Sequence, residues 1–331
     1  MELSIAQHVF SNYFDDAQVI DYSVVNNGLI NKTYKLDTSQ GIYILQEINQ
    51  KVFNEPELAL ENIKRVSIWL KEHEFNYAFP TPIHFTYKFL FDKLWRLLPY
   101  INATSYNEIK NKKMVSNATV CIADFYRILD QFPVQDLHVT IPHFHHGKYY
   151  IDEFHKALNH CSSERKSQAT QEINHIKSAL DELVYFDEVV RQLPNRVIHF
   201  DTKISNFLFD EDFNVKALID LDTLMPGSIL SDVGDMIRTY SSKLGEESTD
   251  FDWIQADSET IETIVESILQ HTQLTDLEIN HLFFAGKAIT LMQSVRFLTD
   301  FLKGDVYYAI NHSFHNLNRA KNQFILYDSM N

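Results

Sequence analysis

The residues with the clearest chemical potential lie in one short segment, which contains His199, Asp201, Lys203 and Asn206. A second apolar run, further along the chain, delivers Asp220. Phosphoryl transfer needs a carboxylate that orients and deprotonates the attacking hydroxyl, and metal ions that neutralise the phosphate oxygens. Asp201 has the position for the first task, and Asn206 and Asp220 offer the oxygen ligands that Mg²⁺ prefers. Lys203 is placed to meet the γ-phosphate, so the segment predicts a phosphoryl-transfer site.

The spacing from His199 to Asn206 resembles the catalytic loop of protein kinases, His-Arg-Asp-Leu-x-x-x-Asn. Kinases place Phe-Gly after their second metal-binding Asp, whereas Leu221–Asp222 follows Asp220 here. That departure resembles the aminoglycoside phosphotransferase and choline kinase superfamily, whose members share the bilobal kinase fold. The resemblance implies that Asp235, at a helix start, braces the catalytic loop. His199 is expected to support the loop rather than to act as a base.

The elements that must position this loop follow from apolar periodicity and turn residues. Strands are predicted at 21–25, 33–36, 42–48, 83–86 and 95–98, with one helix at 57–71. Beyond residue 100 helices are predicted at 114–132, 149–160, 164–193, 232–242, 258–271, 276–302 and 309–328. Short strands at 196–200, 207–209 and 215–219 flank the catalytic segment. We therefore expect an α+β, bilobal, protein-kinase-like fold, with a small antiparallel β-sheet N-lobe carrying one helix (1–99) and a larger, mainly helical C-lobe (100–331).

A candidate phosphate-binding loop lies between the first two predicted strands. It holds Gly28, Asn31 and Thr33, whose amides and side chains can donate to phosphate oxygens, although it lacks the G-x-G-x-x-G pattern. An ordinary hairpin explains this segment equally well. On the third strand, Gln46 stands where kinases place the Lys that clamps the α- and β-phosphates, and Glu61 is expected to hydrogen-bond it.

The predicted lobes meet at Pro99, Tyr100 and Ile101, in a boundary short enough to act as a hinge. Its backbone is expected to hydrogen-bond the base of the nucleotide. ATP and Mg²⁺ are therefore the expected cofactors, although the sequence leaves the choice between ATP and GTP open.

Longer segments resemble the N-acetylhexosamine 1-kinase branch of that superfamily over nearly the whole chain. The segments are Tyr43–Gln46, Ile48–Asn49, Val52–Phe53, Leu60–Ile63, Trp95–Ile101, Ile141–His145, Asp201–Lys203, Ile219–Gly227 and Arg296–Asp305. In that branch the strand Gln is normal, and the acceptor is the anomeric hydroxyl of GlcNAc or GalNAc. Thr223 can hydrogen-bond a ring hydroxyl. Arg296 and Asp300 share a helix face, so the pair can bracket vicinal hydroxyls.

Composition excludes several other classes. The net charge of −16 disfavours a nucleic-acid partner, because phosphate backbones select basic surfaces. Two distant cysteines do not make a disulfide framework. The sequence has neither a signal-peptide pattern nor an apolar stretch of membrane-spanning length, so a cytoplasmic protein without a membrane partner is expected, as a monomer or weak homodimer.

Three alternatives stay open at this point. The acidic composition would also suit an amino-alcohol or aminoglycoside acceptor. Gln46 and the single-glycine loop would suit a nucleotide-binding pseudokinase without turnover. The histidines His143, His145 and His146 resemble part of a metal site, but no Cys or carboxylate partner is evident nearby.

Overall fold

The computed structural model describes residues 1–25, 31–50 and 55–330. The chain divides into two compact units, each assembled from several stretches of sequence. The first unit comprises Met1–Asn107, Ile128–Ile141 and Ser205–Pro226. The second unit comprises Glu108–Arg127, Pro142–Ile204 and Gly227–Asn331. The sequence-based boundary at residue 99 stays a prediction.

The first unit contains a five-stranded antiparallel sheet. Its strands are β1 (Val19–Val25), β2 (Lys32–Thr38), β3 (Gly41–Ile48), β4 (Lys88–Leu90) and β5 (Lys93–Pro99), in the order β1-β2-β3-β5-β4. Because side chains alternate along a strand, Leu36, Leu45 and Leu97 are buried on one face. They form a core with Val9 and Phe10 of helix α1 (Leu3–Ser11), which leaves the opposite face of β2, β3 and β5 available to a ligand.

Helix α2 (Pro56–Glu72) begins with a proline, which suits a first turn where the amide has no intrahelical partner. Its apolar stripe, which includes Ile63 and Val66, is buried. The predicted strand at 83–86 is wrong: the chain forms a short 3-10 turn, Ile83–Phe85, between two prolines and β4. Pro80 and Pro82 lack the amide hydrogens that a strand ladder requires, so the strand begins only at Lys88.

Short strands surround the predicted catalytic segment. They are β6 (Thr104–Ser105), β7 (Arg196–Ile198), β8 (Phe207–Phe209), β9 (Val215–Leu218) and β10 (Met225–Gly227). In the first unit, β6, β8 and β9 pair antiparallel in the order β6-β8-β9. The turn between β8 and β9 closes with Asp210, which accepts the amide of Asn214.

The remaining elements are helices. They are α3 (Lys112–Leu129), α4 (Gly147–His160), α5 (Ser163–Gln168), α6 (Thr170–Val190), α7 (Ile229–Tyr240), α8 (Ser258–His271), α9 (Asp276–Lys303) and α10 (His315–Asp328). The single helix predicted at 164–193 is two helices, broken at Ala169, and the last helix begins at His315 rather than at 309. None of the helices in the described ranges combines the length and the apolar character needed to cross a membrane.

Helix α9 is the centre of the second unit, and its ends are fixed by local chemistry. At its start, Thr275 and Glu278 form a reciprocal capping box. At its end, Gly304 adopts a φ of 99°, which residues with a side chain rarely reach. Helix α7 packs closely on α9, because a Cβ at Gly286 would lie only 2.3 Å from Cγ2 of Ile237. The predicted α+β class, with an N-terminal antiparallel sheet and a larger helical part, is confirmed.

Candidate active site

A cavity of about 440 Å³ opens on the free face of the first unit's sheet, and all of its lining residues belong to that unit. Two neighbouring rows of side chains cross β2, β3 and β5 and form its floor: a polar row of Thr33, Gln46 and Arg96, and a row of Lys35, Ile44 and Leu98. The predicted hinge residues Pro99, Tyr100 and Ile101 line the cavity beyond the second row. A pocket with one polar and one mainly apolar end has the character needed for a nucleotide.

Asn206 and Asp220 line the same cavity. The amide of Ile219 donates to the carbonyl of Asn206 at 2.9 Å, which fixes the two backbone segments together. Asp220 has φ 62° and ψ 61°, a left-handed conformation that Asp adopts more readily than most residues. Amide and carboxylate oxygens are hard ligands, so this pair fits Mg²⁺ with phosphate oxygens and water completing its shell. Within the described ranges, no group of three or more His, Cys, Asp and Glu residues could hold a metal without such help.

Arg96, the third residue of the polar row, forms a buried ion pair with Asp222, and sequence reasoning missed this pair. Arg96 is 3% exposed and Asp222 also 3%. Two guanidinium nitrogens donate to the two carboxylate oxygens of Asp222, and Arg96 Nε donates to Gln46 Oε1 at 2.7 Å. The available signals were the second Asp of the Asp-x-Asp motif and an Arg on the strand next to Gln46.

Two expectations for the nucleotide site need correction. Glu61 does not bond Gln46: its carboxylate accepts from Arg65 at 2.6 Å and lies 3.2 Å from His138 Nε2, on the outward side of α2. The hydrogen bonds of Gln46 are made instead with its strand neighbours Thr33 and Arg96, because antiparallel register places those residues beside it.

Asn31 is buried and binds protein rather than the cavity. Its amide donates to Asp222 Oδ2 at 2.9 Å and accepts the backbone amide of Asn49 at 2.9 Å. Thr223 is half-buried at the end of the 3-10 turn Leu221–Thr223, outside the cavity lining. The prediction for Gly28 concerns a residue outside the described ranges.

The second unit contains the first part of the catalytic loop. Lys203 Nζ lies 2.7 Å from Asp201 Oδ2, and the two side chains are only 30% and 25% exposed. His199 is fully buried, and its Nδ1 accepts the backbone amide of Asp201 at 3.3 Å. Phe200 adopts φ 65°, so the backbone turns sharply just before Asp201. A carboxylate and an ammonium are thereby presented together on a rigid loop.

Asp232, rather than the predicted Asp235, braces this loop. Its carboxylate accepts the backbone amides of His199 at 2.9 Å and Phe200 at 2.6 Å, and the hydroxyl of Tyr126 at 2.5 Å. Burial raises the pKa of Asp232 to about 6, against the lowering effect of these donors. Both acids lie near the start of α7, but only Asp232 is placed with the loop amides.

Asp235 lies one helical turn further and pairs with Arg238 at 2.9 Å. Burial raises the pKa of its carboxyl, Arg238 opposes the rise, and the Asp201 carboxylate adds to it. The hydrogen bonds of the Asp235 carboxylate go to Arg238 through Oδ1, and its buried Oδ2 has no partner among the residues described, so it does not hold the loop amides.

Arg296 lies in a cage of aromatic rings in the second unit. Its guanidinium is 5.4 Å from the ring centre of Phe144, 5.2 Å from that of Tyr150 and 5.8 Å from that of Tyr308. Its hydrogen bond goes to the neutral Gln293 at 3.0 Å. Across residues 1–25, 31–50 and 55–330, no carboxylate approaches it within ion-pair distance.

The cage is joined to the catalytic loop by ring contacts. Phe144 packs edge-on against Phe200 at 5.6 Å, and His145 does so at 5.5 Å. Since Phe200 directly precedes Asp201, these rings connect the Arg296 cage to the candidate base within one unit. Sequence reasoning identified Arg296 but not its aromatic neighbours, which come from two separate segments, one at the start of α4 and one after α9.

Asp300 does not bracket a ligand with Arg296, contrary to expectation. Its carboxylate accepts the backbone amides of Val306, Tyr307 and Tyr308 at 2.9–3.0 Å and the side-chain amide of Asn316 at 3.0 Å. These four hydrogen bonds fix the segment that follows α9 in a non-helical conformation, and α10 begins only at His315. They also hold Tyr308 in contact with Arg296.

The three clustered histidines have separate environments. His143 stacks on Tyr149 at 5.0 Å, and His146 Nδ1 accepts the amide of Tyr149 at the start of α4. His145 is buried, and its Nδ1 has no hydrogen-bond partner among the residues described. Burial, followed by the positive charges of Arg296 and Arg238, lowers the pKa of His145 to about 3.

Comparisons with known proteins agree with this architecture. The family model described as "Phosphotransferase enzyme family" matches residues 21–255. Among solved structures, an aminoglycoside phosphotransferase from Alicyclobacillus acidocaldarius is 12% identical with a TM-score of 0.66, covering 98% of this chain and 94% of that one. The ADP-bound aminoglycoside phosphotransferase APH(2'')-Ib is 11% identical with a TM-score of 0.58, covering 100% and 99%.

A macrolide 2'-phosphotransferase from Brachybacterium faecium is also similar. It is 10% identical with a TM-score of 0.58, and the match covers 97% of each chain. At these identities the structures establish a shared fold, and the roles of individual residues depend on the geometry above.

Proposed function

This chain belongs to the phosphotransferase enzyme family, and we propose that it transfers the γ-phosphoryl group of Mg²⁺-bound ATP to the anomeric hydroxyl of an N-acetylhexosamine, giving a sugar 1-phosphate. The observation that carries the proposal is the aromatic cage of Arg296 joined through Phe144 and Phe200 to Asp201. It offers a polar acceptor a fixed hydrogen-bond donor that is connected by packed rings to the loop of the candidate base.

The nucleotide is assigned to the cavity of the first unit. Its volume of about 440 Å³ lies in the usual range for a cofactor pocket. We assign the base to the end near Tyr100 and Ile101, and the phosphates to the end with Gln46 and Asp220. Mg²⁺, held by Asn206 and Asp220, supplies neutralisation of the phosphate charge when bound.

Asp201 is assigned as the base that orients the acceptor hydroxyl and takes its proton. Lys203, 2.7 Å from it, holds that carboxylate in place and offers positive charge to the transferring phosphoryl. Asp232 keeps the loop in register through the amides of His199 and Phe200. The base is thus preorganised by the second unit's own packing.

Arg296 is assigned to the acceptor. A guanidinium without a carboxylate partner is an unsatisfied donor, and sugar hydroxyls or an acetamido carbonyl can accept from it. Tyr150 and Tyr308 add apolar ring faces and hydroxyl groups, which suit a ring sugar. Asp300 contributes indirectly by fixing Tyr308.

A cationic acceptor is the second candidate, favoured by the net charge of −16. Arg296 opposes it, because a second cation in the same cage would be repelled. The same assay separates the two: turnover with choline or kanamycin, rather than with amino sugars, would keep the phosphotransferase assignment and replace the acceptor.

The test is an ADP-release assay with Mg²⁺-ATP across GlcNAc, GalNAc, glucose, galactose, choline and kanamycin, with NMR of the product. We expect turnover with an N-acetylhexosamine and an anomeric phosphate. The Asp201→Asn variant should lose at least about a hundredfold in kcat, the usual contribution of a general base, while still binding nucleotide. Undiminished kcat in this variant would reject Asp201 as the base, and no turnover with any acceptor would favour a pseudokinase.

A further inference from the structure

The positively charged side chain at the polar end of the cavity is Arg96 of β5, whereas kinases place a lysine on β3 at this point. Gln46 is neutral, and antiparallel register sets it directly between Thr33 and Arg96. All three residues line the cavity. The β3 lysine of kinases is therefore absent, and the neighbouring strand supplies a fixed guanidinium whose charge is balanced by Asp222.

Arg96 fixes which end of the Gln46 amide faces each neighbour. Because Arg96 Nε is a donor, the group it meets at 2.7 Å must be the carbonyl oxygen Oε1. The amide nitrogen Nε2 is thereby turned towards Thr33, to whose hydroxyl it donates at 3.0 Å. Its second hydrogen has no acceptor among the residues described, so Gln46 presents a donor to a phosphate oxygen.

The other side of the same guanidinium holds the turn that carries Asp220. Arg96 donates hydrogen bonds to both carboxylate oxygens of Asp222, and the side-chain amide of Asn31 donates to Asp222 Oδ2 at 2.9 Å. Asp222 lies in the 3-10 turn that begins directly after Asp220, whose φ of 62° depends on the backbone being held. A bidentate guanidinium is planar and rigid, which a lysine cannot reproduce.

We propose that Arg96 is a positioning residue that couples the phosphate contact of Gln46 to the metal ligand Asp220. Its Nε–H group orients the Gln46 amide, and its two terminal nitrogens fix Asp222 and with it the Asp220 turn. The inference rests on the proposed function, because it takes Asp220 as a ligand of Mg²⁺. It goes beyond that function by naming the residue that orients the Gln46 amide and the Asp220 turn together.

A purely structural ion pair makes a different prediction. If Arg96 only stabilised the first unit, its replacement would lower nucleotide affinity by the same factor with and without Mg²⁺. If it positions Asp220, the loss should appear mainly in the gain of affinity that Mg²⁺ provides. Residues that orient metal ligands typically contribute about 10–100-fold to metal affinity.

The experiment is isothermal titration of AMP-PNP into the full-length protein, in Mg²⁺ and in EDTA. The Arg96→Lys variant keeps the positive charge but cannot make the bidentate contact with Asp222. We expect the gain in AMP-PNP affinity that Mg²⁺ provides to fall by about tenfold in this variant. The matched control Gln46→Met should lose affinity by a similar factor in both buffers. Asp220→Asn should lose the Mg²⁺-dependent gain altogether.

The outcomes separate the two proposals. If Arg96→Lys keeps the full gain while Asp220→Asn loses it, the positioning role is rejected and the metal assignment stands. If Asp220→Asn keeps the gain, the metal assignment of the proposed function is itself rejected. Should Arg96→Lys fail to fold, the charge-neutral Arg96→Met/Asp222→Leu variant replaces it, and a retained gain there overturns the inference.

Discussion

Arg96 in the first unit is buried and Arg296 in the second is half-buried, and the two guanidinium groups have different surroundings. Arg96 is buried against the matching carboxylate of Asp222, with its remaining nitrogen on Gln46. Arg296 is enclosed by rings and by the neutral Gln293, with no carboxylate at ion-pair distance among the residues described. A buried charge that is fully paired can act only through the groups it holds in place, whereas a caged charge without a counter-ion is available to a ligand.

The largest effect on stability should come from breaking the paired arginine. Arg96→Met leaves the Asp222 carboxylate buried without its cation, and removing one partner of a buried pair costs about 3–5 kcal/mol. Urea denaturation should show that loss in the free energy of unfolding. The double variant Arg96→Met/Asp222→Leu should recover most of it, and failure to recover would mean that the pair is not the main contribution.

The caged arginine should behave in the opposite way. Arg296→Met leaves no buried carboxylate without a counter-ion, so the free energy of unfolding should change by no more than about 1 kcal/mol. The kcat/KM for the acceptor should instead fall about 10–100-fold, the range for one charge-assisted hydrogen bond in the transition state. Steady-state kinetics beside urea denaturation gives both numbers. A large stability loss with intact kcat/KM would mean that Arg296 stabilises the fold and does not contribute to acceptor binding.

The two arginines also show what a sequence can predict. Local sequence patterns were sufficient to predict most of the helices and strands. The bounds of β8 and α8 were predicted to the residue, because alternation and a bounded amphipathic stripe are local signals. The resemblance to the phosphotransferase superfamily, predicted from the spaced motif of His199, Asp201 and Asn206, is confirmed by the family model that matches residues 21–255. At 83–86, directly after Pro80 and Pro82, the apolar residues alone gave a wrong prediction of a strand.

Pairwise partners were harder to predict, because they depend on register and on distant segments. Arg96 meets Asp222 across more than a hundred residues of sequence, and Asp300 turns to its own following loop instead of to Arg296. The spacing of Asp232 and Asp235 on α7 gives each a plausible role, and only the fold decides which one meets the loop amides. The sites that were missed are those set by tertiary contacts.

A change of pH tests the caged arginine through its neighbour. The pKa of His145 is lowered from 6.5 to about 3 by burial and then by Arg296 and Arg238. Between these values the unfolded chain binds a proton that the folded chain does not. This contribution to stability is therefore present above pH 6.5 and is lost as the pH falls towards 3, by about 1–2 kcal/mol between pH 7 and pH 5.

The control for this prediction is His145→Asn, since Asn tolerates the φ of 55° found there. Urea denaturation at pH 5 and pH 7 should show a smaller difference in the free energy of unfolding for this variant than for the natural protein. Arg296→Met should reduce the difference in part, because removing the cation lets the pKa of His145 rise. Identical pH dependence in all three proteins would contradict the electrostatic link between the histidine and the cage.

The smallest expected effect concerns a third cation, Lys35, which lines the mainly apolar end of the cavity. Its ammonium lies 4.7 Å from the ring centre of Tyr100, in the half-buried row with Ile44 and Leu98. Such a contact at a partly exposed site contributes about 0.5–1 kcal/mol. Lys35→Met keeps the aliphatic stem but removes the charge, so the free energy of unfolding should fall by no more than this amount. Because the ammonium also lines the cavity, its attraction for an anionic nucleotide should be lost, and we expect ADP affinity to weaken by about two- to fivefold.

Arg at the same position is the matched control, because it restores the charge over the ring. Titration of ADP at low and at high salt distinguishes the causes: a charge effect shrinks as salt screens it, whereas a packing effect does not. Lys35 would then be a third kind of cation, in contact with one ring, without the ion pair of Arg96 or the several rings around Arg296 among the residues described. Unchanged ADP affinity in Lys35→Met at low salt would instead mean that the apolar end of the cavity holds the base through Ile44, Leu98 and the hinge alone.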